Sequence, residues 1–329
     1  MKKKIIILGS TGSIGTTTIN IILKNKNIFN TILLAANKSY IKLLSQAKKL
    51  NCKSIIVFDK ENFLKAKIIN RNKNIKIFNS IKDFLKIEKD KADYTMCAIT
   101  GISGLEPIID IIKTTKNLAI ANKESIICGW NLIEKEIIKY KVKFIPIDSE
   151  HFSIQSLIKN NRNVEIETIY ITASGGPFLK LPISQFKNII PGKAIKHPNW
   201  KMGKKISIDS STLMNKVFEV IEAQRIFKLP ISKFKILIHP KSYLHSIVKF
   251  HDGTTKFLIH DTNMIIQIFN SLYYEDFNRQ LKSKKINFKK INNLNLTNVN
   301  LFKFPIVKFL KIIPNNISLF ETVLVSAND

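Results

Sequence analysis

The sequence predicts an α/β protein: an N-terminal doubly wound parallel sheet followed by an α+β domain. Three observations predict it. Short β-branched runs alternate with longer amphipathic stretches through the first half of the chain. A glycine-rich stretch, GSTGSIG at 9–15, directly follows the first of those runs. From about residue 165 the rhythm changes to strands joined by turns and one long amphipathic helix.

The runs KKIIIL (3–8), TILLAA (31–36), KSIIVF (53–58), YTMCAI (94–99), NLAIA (117–121) and VKFIPI (142–147) read as strands. They are continuous apolar runs, as expected of parallel strands covered on both faces. Helices are predicted between them at 15–26, 39–50, 61–70, 104–115 and 129–140. In the second block ETIYITASGG is a strand running into a turn, and STLMNKVFEVIEAQRIF (211–227) a single helix. FKILIHP and HSIVKFHDGTTKFLIH are strands, the latter folded as a hairpin at Asp252-Gly253. After roughly 278 an Asn/Lys-rich segment of little periodicity leads to a short apolar stretch and SAND. The expected domains are a Rossmann-like one at 1–147, a second at 148–278 and a connecting segment at 279–329.

At 329 residues, two or three domains are the expectation. Lys and Arg outnumber Asp and Glu by 53 to 24, for a formal charge of +29. So basic a protein attracts polyanions. The lysines are nevertheless scattered from end to end alongside repeated Ile and Asn, which reads as a solvated surface, and no specific nucleic-acid partner is expected. Cys52, Cys97 and Cys128 lie far apart with no CxxC, so neither a disulfide framework nor a zinc site is suggested and a reducing, cytoplasmic setting follows. The apolar stretch in MKKKIIILGS ends at Gly9, too short for a signal peptide. No later stretch is long and apolar enough to span a bilayer, so no membrane partner is expected.

Glycines 9, 12 and 15 allow a tight turn and close approach of the backbone to a pyrophosphate, with a helix N-terminus behind it supplying partial positive charge. A plain strand-to-helix turn has similar spacing; position in the first βα turn favours a dinucleotide. Where NAD-binding proteins carry an acid, AANKSY offers Lys38, which suits the extra phosphate of NADP. ANKES (121–125) follows a strand's carboxyl end, where open α/β sheets place ligands, although Lys123 and Glu124 also read as a surface ion pair. In DSEH, Asp148 and Glu150 flank Ser149. They suit a helix cap and its first turn, or a divalent-cation site if a third acid converges, because two such carboxylates otherwise repel.

Candidates for that third acid lie on 211–227, where Ser211, Asn215, Glu219 and Glu222 oppose a stripe of Leu213, Val217 and Ile221. The alternative is an ordinary solvated face. DSSTLMNK gathers hydroxyls, an amide and a lysine at a helix start, and TASGGP (172–177) offers Ser174 with the Gly175-Gly176 backbone; both suit an anion. HPNWKMG (197–203) puts Trp200 in a polar loop, as a buried anchor or as part of a mobile lid.

GSTGSIG, ANKES, IPIDSEH, SGGPF, HPNWKMGKKISIDSSTLMNK and LIHPKSYLHS occur in the order, and at about the spacing, of the 1-deoxy-D-xylulose 5-phosphate reductoisomerase family. The chain resembles that family from Lys4 to about Met264 and weakly onward to SAND. The resemblance implies that a sugar phosphate, 1-deoxy-D-xylulose 5-phosphate, is rearranged and then reduced by NADPH to 2-C-methyl-D-erythritol 4-phosphate. It implies one divalent metal, Mg2+ or Mn2+, on Asp148, Glu150 and Glu219, with Glu222 in support. Ser149 and Lys123 fall near the reacting oxygens, and Ser174, Ser210, Asn215 and Lys216 around the phosphate. His197 and Trp200 fall in a closing loop, 194–204, with Met202 and Gly203 beside the nicotinamide. The implied NADPH contacts are Thr11, Gly12, Ser13, Ile14, Asn37, Lys38, Ser39, Asn122, Glu124 and Gly203; Asn37 and Ser39 replace the family's more usual Gly and Asn. The family forms homodimers, and a homodimer is the expectation here. Family members also continue past SAND into a helical C-terminal domain, expected to be largely missing, with 279–329 a connecting segment and remnant and with activity retained.

Two other readings compete, besides a truncated and weakly active reductoisomerase. A metal-free NADP-dependent dehydrogenase of another family would share GSTGSIG but has no use for the three acids. A binding protein, argued from charge alone, would show salt-sensitive DNA or RNA affinity.

Overall fold

The computed structural model describes residues 1–70, 74–159, 165–200, 202–274, 276, 278–281, 285–316 and 318–329. Two compact units emerge, Met1–Ile147 with Gln267–Arg279, and Asp148–Ile266 with Gln280–Asp329.

In the first unit the order is β1 (Lys3–Leu8), α1 (Ser13–Leu23), β2 (Phe29–Ala36), α2 (Tyr40–Leu50), β3 (Ser54–Val57), α3 (Lys60–Ile69), β4 (Lys76–Phe78), α4 (Ile81–Ile87), β5 (Ala92–Cys97), α5 (Leu105–Ile112), β6 (Thr115–Ile120), α6 (Lys123–Tyr140) and β7 (Lys143–Pro146). The seven strands form one parallel sheet in the order β4-β3-β2-β1-β5-β6-β7. Ile5 to Leu8, Leu33, Leu34, Ile55, Ile56, Met96 and Leu118 are all buried, which is why these strands read as unbroken apolar runs. Strand order reverses between β1 and β5, and a ligand crevice opens at such a switch point.

Two elements escape the sequence pattern. β4 is three residues long with no fully buried position, and α4 is a short helix started by Ser80, whose hydroxyl accepts the Asp83 N–H at 3.1 Å. α6 also begins earlier than expected, at Lys123, because the Asn122 side chain caps it, its Oδ1 accepting the Ser125 N–H at 2.6 Å. Residues 267–279 return to this unit. Ser271 Oγ lies 2.7 Å from Tyr94 Oη, and the Tyr273 and Phe29 rings sit 5.3 Å apart. Partners 177 positions apart leave no local trace in the sequence.

The second unit contains α7 (Ser149–Ile158), β8 (Ile166–Ala173), α8 (Pro191–Ala194), α9 (Lys204–Thr212), α10 (Met214–Phe227), β9 (Phe234–Ile238), β10 (Leu244–Phe250) and β11 (Thr255–Ile259). After α11 (Ile265–Leu272), which leads into the first unit, come α12 (Phe288–Ile291), β12 (Thr297–Asn298) and α13 (Leu319–Asn328). Its five strands are ordered β11-β10-β8-β9-β12, with β8 and β9 parallel and the other pairs antiparallel. The β10–β11 hairpin turns at Gly253, whose φ of 85° suits glycine.

The single helix expected at 211–227 is two. Leu213 adopts a left-handed φ of 67° and ends α9 before α10 begins. That conformation costs a branched side chain about 1–2 kcal/mol, and burial of the Leu213 side chain in the core offsets it. Nor is the polar side of α10 a solvated face: Glu219 and Glu222 are each 2% exposed. The helix packs against α7, β8 and the helical turn at 305–311, so it is covered all round.

Candidate active site

The acids of DSEH stand at the start of α7. Asp148 is the N-cap, its Oδ1 accepting the Glu150 N–H at 3.1 Å. Cap and candidate ligand are therefore the same residue. From α10, Glu219 brings a third carboxylate, and one oxygen from each of Asp148, Glu150 and Glu219 lies within 4.8 Å of the others. Each acid is held in place. Ser149 Oγ donates to Glu150 Oε2, Asn215 Nδ2 donates to Glu219 Oε1, and the His151 ring reaches the Glu219 carbonyl with Nε2 at 2.8 Å. Asp148 also belongs to a second group, with His151 and Glu222, at the same mutual distance. The first group offers oxygen alone, the donor preference of a hard divalent cation; the second mixes in a nitrogen.

Three converging carboxylates need positive charge. Lys216 supplies it, with Nζ 2.7 Å from Glu150 Oε1 and 2.6 Å from Glu219 Oε2. Burial works against the lysine's charge, but the two carboxylates outweigh it and hold the ammonium's pKa above its ordinary value. Asn215 and Lys216, placed around the phosphate by the resemblance, thus bond here to the acids.

The two anion turns meet. Gly176 has a φ of 67°, and a Cβ there would lie 2.6 Å from the Ser210 carbonyl oxygen. Ser174 Oγ accepts the Gly176 N–H at 3.0 Å and stands 3.0 Å from His197 Nε2. Gly176→Ala is expected to lower the melting temperature and to weaken inorganic-phosphate binding by pushing these turns apart, at a cost of about 1–3 kcal/mol; calorimetric phosphate binding equal to wild type would refute this.

The His197 loop is pinned at three points. Nδ1 of His197 accepts the N–H groups of Asn199 and Trp200 at 3.2 and 3.0 Å, which leaves the proton on Nε2, facing Ser174. Asn199 Nδ2 donates to the Pro240 carbonyl at 2.6 Å and Ser242 Oγ at 2.9 Å. The Trp200 ring meets His245 edge-on at 6.0 Å, and His245 stacks on His260 at 3.5 Å. Lys201 of this loop lies outside the described residues. Burial, with Lys216 adding to it, pushes the His197 pKa from 6.5 to about 4. The imidazole should therefore stay neutral in an NMR titration until the pH approaches that value, and a midpoint near 6.5 would contradict the geometry. The sign for stability follows. As pH falls below 6.5 the unfolded chain takes the proton first, so stability drops between 6.5 and about 4 and is untouched above.

In the first unit, Gly12 precedes α1 in extended conformation and no side chain caps the helix. This is the arrangement in which N–H groups near Thr11, Ser13 and Ile14 face an anion. Gly9, with φ 80°, is irreplaceable in form: a Cβ would lie 2.4 Å from the Ala98 carbonyl oxygen. Lys42 Nζ donates to the Thr11 carbonyl at 2.7 Å, and Gln46 binds Ser10 through Oε1 at 2.9 Å and Nε2 at 3.0 Å. Asn37 lines a cleft of about 390 Å³ with Phe58, Asn79, Ile99, Thr100 and Ser103, while Lys38 and Ser39 border a neighbouring pocket of about 420 Å³ with Lys42. Asn122 is occupied structurally, since beyond capping α6 it donates to the Ile99 and Gly101 carbonyls. Glu124 is buried, which removes the reading of Lys123 and Glu124 as a surface pair. Lys123 opens α6, and Gly203 precedes α9 as its N-cap.

Sequence reasoning missed Lys42, Gln46 and the cleft residues Thr100 and Ser103. Lys42 and Gln46 lie 31 and 36 positions from their partners, and no local spacing signals such contacts.

The chain matches the family model for 1-deoxy-D-xylulose 5-phosphate reductoisomerase at residues 5–129 and that for the same enzyme's C-terminal domain at 144–227. This corrects the expectation of a largely missing C-terminal domain: the portion so described is present. The reductoisomerase of Pelagibacter ubique is 55% identical over 329 residues, covering 99% of this chain and 84% of that protein. That of Clostridium novyi is 41% identical, covering 86% and 74%. Among solved structures, the Zymomonas mobilis enzyme in complex with NADPH superposes with a TM-score of 0.84 at 30% identity, covering 94% of this chain and 79% of that one. A reductoisomerase in complex with NADPH, fosmidomycin and magnesium gives 0.85 at 30% identity, with the same coverage. The chain belongs to the 1-deoxy-D-xylulose 5-phosphate reductoisomerase family.

Proposed function

We infer that this protein converts 1-deoxy-D-xylulose 5-phosphate to 2-C-methyl-D-erythritol 4-phosphate, a carbon-skeleton rearrangement followed by NADPH-dependent reduction, in isoprenoid precursor synthesis. The observation that carries the inference is the convergence of Asp148, Glu150 and Glu219 within 4.8 Å. This all-oxygen set fits Mg2+ or Mn2+. When bound, such a cation supplies Lewis acidity toward neighbouring substrate oxygens and NADPH supplies the hydride.

The chain's own residues do the rest. Ser149 and Asn215 orient the carboxylates of Glu150 and Glu219. Ser174, Ser210 and Lys216 form the phosphate site, with His197 as a neutral donor from Nε2 and Trp200 closing the loop 194–204 over it. The turn at Thr11 to Ile14, together with Asn37, Lys38 and Ser39, binds NADPH. For Lys123, Asn122, Glu124 and Gly203 the role rests on motif alone. The first unit is thus proposed as the NADPH-binding domain and the second as the catalytic one, so 267–279, expected mostly within the catalytic domain, goes with the first.

The test is NADPH oxidation by purified protein with the deoxyxylulose phosphate. Activity should vanish with chelator and return with Mg2+; no metal-dependent oxidation would overturn the inference.

No helix among the described residues is long and apolar enough to cross a membrane. A cytoplasmic setting is proposed as well, since Cys52, Cys97 and Cys128 are thiols and not disulfide-bonded. We propose a homodimer joined along β11. Among the described residues this strand has one strand neighbour, and it carries Phe257 at 54% exposure. Light scattering should give twice the 37.7 kDa chain mass, and the chain mass itself would refute pairing.

A further inference from the structure

Three segments of the second unit carry the proposed phosphate residues and the candidate ligand Glu219: the turn after β8, α9 and α10; the other two acids stand at the start of α7. Each of the three segments is gripped by the last part of the chain. Lys303 Nζ donates to the carbonyls of Leu179 and Leu181, both at 2.6 Å, in the loop that continues the Ser174 turn. Asn328 Nδ2 donates at 3.0 Å to Oδ1 of Asp209, the neighbour of Ser210 on α9. On α10, Gln224 Nε2 donates to the Pro314 and Asn315 carbonyls at 3.2 and 3.0 Å.

The strongest grip is an ion pair. Arg225 pairs with Glu321, their side chains 2% and 0% exposed. The other oxygen of Glu321 accepts from Ser318, from Oγ at 2.7 Å and from the N–H at 3.2 Å, in a capping box that starts α13. One carboxylate thereby ties the start of α13 to the helix that bears Glu219 and Lys216. A buried pair of this kind adds little stability over an apolar contact, whereas it fixes orientation sharply.

Resting on the functional reading above, we propose that the segment bearing Lys303, Glu321 and Asn328 is a clasp that sets the spacing between the phosphate turns and the metal-ligating helix, these three being positioning residues. The close contact of Gly176 with the Ser210 carbonyl makes that spacing consequential. It leaves no slack between the turn held by Lys303 and the helix held by Asn328. Misplacement of reacting groups by about 1 Å can cost 100-fold in rate.

The experiment uses the full chain carrying Lys303→Met with Asn328→Ala, and separately Lys303→Arg. Measured are KM for the sugar phosphate, KM for NADPH, inorganic-phosphate affinity by calorimetry, and melting temperature. The double variant should raise the sugar-phosphate KM and weaken inorganic phosphate by about tenfold, with KM for NADPH unchanged. Lys303→Arg, which keeps a donor for the two carbonyls, should restore most of the loss when it replaces Lys303→Met. Unchanged phosphate affinity and KM, with or without a fall in melting temperature, would overturn the clasp and leave these contacts merely structural. Wild-type protein that binds phosphate but never oxidises NADPH would refute the assigned reaction; the phosphate comparison would still decide the clasp.

Discussion

Glu219→Gln removes metal-supported turnover, with kcat/KM falling about 1000-fold, the several kcal/mol that Lewis-acid stabilisation supplies at roughly 1.4 kcal/mol per tenfold. The substitution is nearly isosteric and keeps an oxygen to accept from Asn215 Nδ2. What it deletes is one of three negative charges, and with it half of the pairing at Lys216 Nζ. The fold should survive, since two carboxylates around one ammonium repel less than three. Steady-state rates across a Mg2+ titration, beside melting curves, check both parts. Turnover within a few-fold of wild type would favour the metal-free dehydrogenase instead, because that chemistry makes no demand on a buried acid from α10.

Lys216→Met is expected to be equally damaging for a different reason. The variant strands Glu150 and Glu219, both buried, without the ammonium that lies 2.7 and 2.6 Å from them. Removing one partner from a buried ion pair costs about 3–5 kcal/mol. With chelator present the variant should therefore melt well below wild type. Excess Mg2+ should stabilise it more than it stabilises wild type, because a cation bound by the acids takes over the charge that Lys216 carried. Turnover should not recover, since the proposed phosphate site still lacks its lysine. Equal melting of variant and wild type in chelator would show that Lys216 is not the counter-charge of the site.

Much of this was legible in the chain itself. The strands of the first unit are buried on both faces, so they announce themselves as apolar runs, and GSTGSIG declares its turn through glycines that no larger residue could replace at Gly9. DSEH was readable as acids at a helix start, but as cap or ligand equally, and in the structure Asp148 is a cap that also stands within a cluster of three acids. The break at Leu213 was hidden because a leucine gives no warning of a left-handed φ. The burial of Glu219 and Glu222 was hidden too, because helical spacing records only which side of a helix a residue occupies.

By itself, then, the sequence determined the α/β class, the glycine-rich turn after the first strand and the acid pair of DSEH, all carried by local spacing and residue chemistry, while the choice of Glu219 as third acid came from the family resemblance. Only the tertiary structure decided that Asp148, Glu150 and Glu219 share one small volume with Lys216 between two of them, and that Arg225 is met by Glu321 from 96 positions away. The physical reason is that charge repulsion and its neutralisation depend on distance through space, and chain position does not encode that distance until the helices have packed.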